Sequence, residues 1–261
     1  MSYRKLMRTL QSYFPPAAEL KSALYRAERK LLQKPHEVEF EILKYLRFSD
    51  DECLVDVGAN QGQSIESIRL FNKMTPLIAF EPNSLLAARL KRRYAKYASQ
   101  TEIRACGLSD VHEAKELHVP VYRGYVYDGL ASFDRSAAEG WLNSTTVFLF
   151  SEKRLHLNKL PCDVETLDEQ KLAPGFIKVD VQGLECKVIK GGLATLKAFE
   201  PVLLLESPGQ SAEMEHILRR LGYSEFRWER GRLHAGRGNS WMWLFLTARR
   251  LRDLPNTRIC F

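Results

Sequence analysis

The chain has 261 residues, 45% of them hydrophobic, which suits one large domain with or without a small appendage. No apolar run approaches the roughly 18 residues of a membrane-spanning helix, and the N-terminus lacks a signal peptide's apolar core, so cytoplasmic residence is expected. The five cysteines are odd in number and form no C-x-x-C pair, which argues against a disulfide framework or a metal site. The net charge of +7 fits either an anionic partner or a solvated basic face.

Three helices are predicted at the N-terminus, over residues 1–14, 17–33 and 37–46, from apolar residues at helical spacing and proline breaks between them. Residues 1–48 hold ten Lys or Arg against five Asp or Glu. We interpret them as a helical cap that covers a ligand, contacts a substrate or forms a homodimer. The basic first helix also fits peripheral contact with an anionic surface, although packing is the commoner use of such a stripe.

The next segment is predicted to form a strand, a tight turn and a helix. Apolar residues 54–57 precede Gly58-Ala59-Asn60-Gln61-Gly62, and apolar residues recur at helical spacing after Gly62. The spacing differs from the dinucleotide fingerprint G-x-G-x-x-G, and Gln63 stands where a P-loop needs lysine. Because Asp56 precedes the turn, a positively charged cofactor is favoured over a phosphate.

A second strand, residues 77–80, ends in Glu81-Pro82-Asn83. The acid follows the glycine turn by about 20 residues, where nucleotide-binding α/β units place the carboxylate that holds ribose hydroxyls. The alternative is an ordinary turn with an acid at a strand end. Ser84 is the predicted N-cap of the next helix.

The remaining pattern predicts further strands around an insert. The predicted strands cover residues 101–106, 176–181, 202–205, 224–230 and 241–247, with a loop over 231–240. The insert, about residues 114–165, is predicted to contain short strands at 116–121, 147–150 and 154–157. Its aromatic residues suit either a ring-bearing acceptor such as a sugar or a small core; they are Tyr122, Tyr125, Tyr127 and Trp141.

Four segments, taken in order, resemble a known family. Asp56–Gly62 followed by Phe80-Glu81-Pro82 is similar to class I S-adenosylmethionine-dependent methyltransferases. Residues 164–168 (VETLD) and the run from Ile177 to Gly192 (IKVDVQGLE through KGG) resemble one branch, the FkbM family. The resemblance implies a Rossmann-like α/β fold with a seven-stranded, mostly parallel sheet and an antiparallel last strand. We therefore predict a methyltransferase domain over 49–248, and the residue pattern outside it predicts the cap over 1–48 and a basic tail over 249–261.

The resemblance implies site residues as well. Those expected to hold S-adenosylmethionine are Asp56, Gly58, Ala59, Asn60, Gly62, Glu81, Pro82, Asn83, Leu108, Ser109, Asp110 and Asp180. If the acceptor is a hydroxyl, the candidates for its general base are Asp180, then Glu206, then Lys178. Asp180 equally suits the cofactor's amino group, and Lys178 equally suits an ion pair. Gln182 departs from the family, which commonly has Glu there.

The resemblance therefore implies O-methylation of a hydroxyl on a carbohydrate, such as a glycan or lipid-linked sugar, or on a secondary metabolite. Two alternatives remain open, an RNA methyltransferase and a non-catalytic module that binds the cofactor. The basic charge prompts the first alternative. Nucleic acid is nonetheless disfavoured, because Asp180-Val181-Gln182-Gly183 stands where base N-methylating enzymes of this fold often carry Asp/Asn-Pro-Pro-Tyr.

Overall fold

The chain divides into two compact units. The computed structural model describes residues 3–14, 24–25, 27–29, 31–206, 212–236, 238, 240–255 and 258–260. The insert unit comprises residues 1–33 and 114–162, and the sheet unit comprises residues 34–113 and 163–261. The predicted cap over residues 1–48 is therefore divided, because its first 33 residues group with the insert and the rest group with the sheet.

The described residues form thirteen strands. They are β1 (Cys53–Val57), β2 (Leu77–Phe80), β3 (Thr101–Arg104), β4 (Gly107–Ser109), β5 (Glu113–Tyr122), β6 (Tyr125–Val126), β7 (Leu155–Thr166), β8 (Pro174–Val179), β9 (Val202–Glu206), β10 (Tyr223–Glu229), β11 (Arg232–Ala235), β12 (Met242–Thr247) and β13 (Ile259–Cys260).

Nine of these strands form the main sheet of the sheet unit, in the order β13-β11-β10-β12-β9-β8-β1-β2-β3. Strands β3, β2, β1, β8 and β9 are parallel, and β12 runs antiparallel between β9 and β10. The chain leaves β1 toward β2 and β3 and later returns to β8 on the other side of β1. Ligands of open α/β sheets bind outside the carboxyl ends of the strands at such a reversal.

The predicted count of seven strands is wrong for the described sheet. Strand β11 lies inside the segment predicted as the 231–240 loop, and β13 lies in the predicted basic tail. Both are short strands that lie beyond β10, which is the seventh strand when the sheet is counted from β3. The predicted strand over 101–106 also ends early, at Arg104, and β4 pairs instead with β7.

Helices cover both faces of the sheet. The α-helices with defined bounds are α1 (Tyr3–Tyr13), α2 (Gln63–Phe71), α3 (Ser84–Tyr94), α4 (Arg135–Gly140), α5 (Glu185–Lys190), α6 (Leu193–Phe199), α7 (Ala212–Arg220) and α8 (Ala248–Arg252). The predicted third helix is a 3-10 helix, Val38–Lys44, whose residues Phe40, Ile42 and Leu43 join one core. Part of the predicted second helix lies outside the described residues, and its described positions 24–25, 27–29 and 31–32 are helical.

Strands β1, β2 and β8 are buried along their whole length. Alternate residues of each strand supply two cores, since successive side chains point to opposite faces. Leu54 and Phe176 belong to one core, and Val55 and Ile177 belong to the other. This packing fixes the strand ends that carry the polar residues described below.

The insert unit has its own small core. Strand β5 extends the predicted strand and pairs with β6. Residues 147–150, predicted as a strand, form turns and bends instead. Helix α1 lies within this unit. Among the residues that the structure describes, no helix combines the length and the apolar character needed to cross a bilayer.

Candidate functional site

The turn after β1 depends on glycine at position 58. Its φ of +82° is unfavourable for residues with a side chain. A Cβ built on Gly58 would lie 2.0 Å from the carbonyl oxygen of Asp180, which follows β8. The Asp180 amide in turn donates to the Val57 carbonyl at 3.1 Å. Gly58 therefore brings the ends of β1 and β8 into direct backbone contact.

We expect Gly58→Ala to lower the free energy of unfolding by about 1–3 kcal/mol more than a control substitution. Both variants place a side chain at a positive φ, but at position 58 the new methyl group also collides with the Asp180 carbonyl. The control is Gly222→Ala, which has a φ of +84° but open space around the new methyl group. Urea unfolding of both variants measures the difference. Equal losses would show that the contact with Asp180 does not constrain residue 58.

Glu81, at the end of β2, is held by backbone amides. The amide of Asn60 donates to its Oε2 at 2.6 Å, and the amide of Asn83 donates to its Oε1 at 2.8 Å. The Glu81 side chain is buried. The glycine turn and the second strand end are therefore tied together through one carboxylate.

The other residues of these two turns have defined places. Gly62 is the N-cap of α2 and has a φ of +89°. The amide of Ala59 donates to the Phe80 carbonyl at 3.0 Å, and Pro82 is half-buried. Asn83, rather than the predicted Ser84, is the N-cap of α3, because its Oδ1 accepts from the amides of Leu85 and Leu86.

Asp56 and Lys178 lie directly opposite each other on β1 and β8. The Lys178 Nζ is 3.2 Å from Asp56 Oδ1 and 3.6 Å from Asp180 Oδ2, and it donates to the Gly58 carbonyl at 2.9 Å. Ser64, at the start of α2, donates to the second oxygen of Asp56. Burial lowers the pKa of Lys178, but the charges of Asp56 and Asp180 outweigh it and leave the pKa raised. Lys178 is therefore a buried cation between two carboxylates.

Asp180 and Glu206 form an acidic pair at the ends of β8 and β9. The Gln182 side-chain amide donates to both, at 3.2 Å to Asp180 Oδ1 and 3.4 Å to Glu206 Oε2. Burial raises the pKa of Asp180. The charge of Lys178 and the hydrogen bonds with Glu206 and Gln182 outweigh burial, so the pKa is lowered. Burial and the charge of Asp180 raise the pKa of Glu206 to about 8. At neutral pH the pair therefore holds one proton, mainly on Glu206.

Glu185 holds the backbone beside this cluster in place. It was not among the predicted site residues. Its Oε1 accepts from the amides of Val181 at 3.0 Å and Gly183 at 3.1 Å. These bonds fix the turn that carries Gln182, whose φ is +55°. The signal was present in the sequence, since Glu185 closes the run DVQGLE after the strand.

The segment expected to border an adenine is divided between the core and the surface. Leu108 packs into a core, and Ser109 is buried in β4 with its carbonyl against Gly191. Asp110 is half-buried and accepts a hydrogen bond from Ser109 Oγ at 3.0 Å. Of the three, Asp110 is the one whose side chain reaches the surface.

Most of the insert's aromatic residues form a core rather than an acceptor surface. Tyr122 and Tyr127 are buried together, and Tyr125 packs edge-on against Tyr127 at 4.7 Å. Trp141 is the exposed member, with 42% of its surface accessible. Of the two alternatives left open by the sequence, Tyr122 and Tyr127 therefore follow the second, a small core.

The insert unit also contains a cavity of about 590 Å³. Its apolar lining residues are Leu142, Phe150, Leu155 and Leu157. Charged and polar side chains line the rest, namely Arg135, Glu139, Asn143, Glu152, His156 and Lys159. Arg135 and Glu139 pair at 2.8 Å, so part of the charge is already neutralised.

Comparison with known proteins finds a matching family model and similar proteins. Residues 56–225, about two thirds of the chain, match the model of the methyltransferase FkbM domain. The sequence is 26% identical over 203 residues to AMB antimetabolite synthetase AmbE of Pseudomonas aeruginosa PAO1, covering 66% of this chain but 10% of that protein.

Two solved structures are also similar. The methyltransferase FkbM of Methylobacillus flagellatus KT is 21% identical with a TM-score of 0.49, over 79% of this chain and 47% of that one. A SAM-dependent O-methyltransferase from Thermotoga maritima is 11% identical with a TM-score of 0.39, over 79% and 63%. The chain thus spans about half of that FkbM chain and a tenth of AmbE.

The matched range begins at Asp56 and includes the glycine turn, Glu81, the Lys178 to Glu185 segment and Glu206. The predicted family is confirmed by this match. The protein belongs to the FkbM methyltransferase family.

Proposed function

We propose that the chain binds S-adenosylmethionine outside the ends of β1 and β2 and methylates a hydroxyl of a carbohydrate or secondary metabolite. The observation that carries the proposal is the buried carboxylate of Glu81, held in place by the amides of Asn60 and Asn83. A carboxylate at the end of the second strand is the group that accepts hydrogen bonds from ribose hydroxyls in nucleotide-binding α/β units. Family membership supports the same cofactor.

The residues present fit that cofactor. Asn60 Oδ1 is buried without a hydrogen-bond partner among the described residues, which suits a donor group supplied by a ligand. The carboxylates of Asp56 and Asp180 outnumber the buried cation between them, Lys178, so the site attracts positive charge. A sulfonium and an amino group provide such charge.

When bound, the cofactor supplies a methyl group already activated by its sulfonium. The protein's part is then to hold the acceptor in line and to remove the hydroxyl proton. Of the three candidate bases, Glu206 has the pKa nearest to a working pH, and Lys178 is engaged by two carboxylates. We assign the base to Glu206 and a cofactor-binding and charge-setting role to Asp180.

The proposed acceptor class rests on family membership. The likeness to an antimetabolite synthetase supports the secondary-metabolite alternative. Mass spectrometry of glycans and metabolites after incubation with methyl-labelled cofactor tests both. Label found only in RNA would replace this proposal with the RNA methyltransferase.

We expect Glu81→Gln to weaken binding of S-adenosylhomocysteine about 10- to 100-fold, because hydrogen bonds to a charged acceptor contribute about 1.5–3 kcal/mol. Titration calorimetry on the purified chain measures this. The control is Glu102→Gln on β3, an exposed acid paired with Arg104. If Glu81→Gln binds as tightly as the control, Glu81 does not hold the ribose.

A further inference from the structure

Helix α1 turns its polar side toward the rest of the insert unit, residues 114–162. Thr9 Oγ1 accepts from the amide of Phe148 at 2.9 Å, and Lys5 Nζ donates to the Ser144 carbonyl at 2.6 Å. Ser12 is buried and shares a 2.6 Å hydrogen bond with Tyr127. Positions 5, 9 and 12 lie on one side of a helix, so this side is the attached one.

The apolar side of α1 therefore faces outward. Leu6, Leu10 and Phe14 are spaced four residues apart, and their exposed fractions are 39%, 45% and 61%. In an ordinary surface helix the apolar stripe faces the core and the polar side faces water. An exposed apolar stripe of this kind marks an interaction surface.

Hydrophobic exposure and positive charge both concentrate in the same unit. Eleven of the eighteen exposed large hydrophobic side chains in the described residues belong to the insert unit. By sequence this unit holds thirteen Lys or Arg against seven Asp or Glu, so it carries six of the chain's seven net positive charges. The larger sheet unit is close to neutral.

We propose that the outward side of α1 binds the surface of an anionic lipid bilayer. Basic residues attract anionic headgroups, and the apolar side chains of an interfacial helix enter the boundary between headgroups and acyl chains. Leu6, Leu10 and Phe14 supply the apolar contact without disturbing the hydrogen bonds that attach α1. The net positive charge of the insert unit selects an anionic surface over a neutral one.

Sedimentation with vesicles tests this binding without cofactor or acceptor, so its result is independent of the proposed methyl transfer. We expect the chain to bind vesicles containing phosphatidylglycerol and to bind pure phosphatidylcholine vesicles about tenfold less well. Raising the salt from about 0.1 to about 0.5 M should weaken the binding, since screening shortens the range of the attraction.

The paired variants are Leu6→Gln with Leu10→Gln, and Met74→Gln with Leu85→Gln in the sheet unit. Met74 and Leu85 are also strongly exposed, at 80% and 57%. The first pair should reduce vesicle binding about tenfold and the second should leave it unchanged. No binding by the unaltered chain, or equal effects of both pairs, would overturn the proposal. So would light scattering that shows a dimer dissociated by the first pair, which would assign the surface to a second copy of the chain.

Discussion

Glu206→Gln is expected to remove a rise in kcat/KM that the unaltered enzyme shows as the pH approaches about 8. The pKa of Glu206 is raised to about 8, so below that pH the side chain is mostly protonated and unable to accept a proton. Activity should therefore increase with pH and level off once Glu206 is ionised. Loss of a general base lowers the rate about 10²- to 10⁴-fold, and we expect this loss on the alkaline plateau.

Variants of the neighbouring residues distinguish Glu206 from Asp180. Asp180→Asn removes the charge that helps to raise the pKa of Glu206, so the rise should move to lower pH. Gln182→Glu replaces a shared donor with a third carboxylate, so the rise should move to higher pH. Glu213→Gln, at an exposed ion pair with Lys190, is the control and should leave the profile unchanged. If the rise of kcat/KM with pH persists in Glu206→Gln and disappears in Asp180→Asn, Asp180 is the base.

The parts of the site predicted from sequence are those set by local pattern. The strand–glycine–helix segment shows as an apolar run followed by Gly58 and Gly62, and Pro82 fixes the end of β2. The order of the parallel strands follows from the family resemblance. The structure adds the reason why position 58 is glycine. The carbonyl oxygen of Asp180, more than a hundred positions away in the sequence, leaves no room for a Cβ.

The parts that sequence did not predict depend on pairing between distant segments. Strand β11 has four residues and β13 has two, too short for a clear alternation of apolar and polar side chains. The raised pKa of Glu206 arises from burial and from its proximity to Asp180 across β8 and β9, which no local pattern encodes. Glu185 was visible in the motif, but its bonds to two backbone amides become apparent only in the folded turn.

Lys178→Met is expected to destabilise the fold by about 3–5 kcal/mol, the usual cost of removing one partner of a buried ion pair. The loss would leave Asp56, which is fully buried, without its cation. Asp56→Asn combined with Lys178→Met removes both charges, and most of the lost stability should return. Urea unfolding followed by fluorescence and by circular dichroism measures each variant. Lys190→Met, at an exposed ion pair, is the control and should change stability little.

The double variant also separates two roles for Lys178. If the residue acts only by neutralising Asp56, the folded double variant should keep the rise in kcat/KM that belongs to Glu206, shifted upward because Lys178 opposes that pKa increase. If Lys178 itself removes the acceptor's proton, the double variant should be folded and inactive at every pH, whereas Asp56→Asn alone should keep activity when the cofactor is saturating. The raised pKa of Lys178 favours the first outcome, since a lysine acts as a base only when its neutral form is accessible.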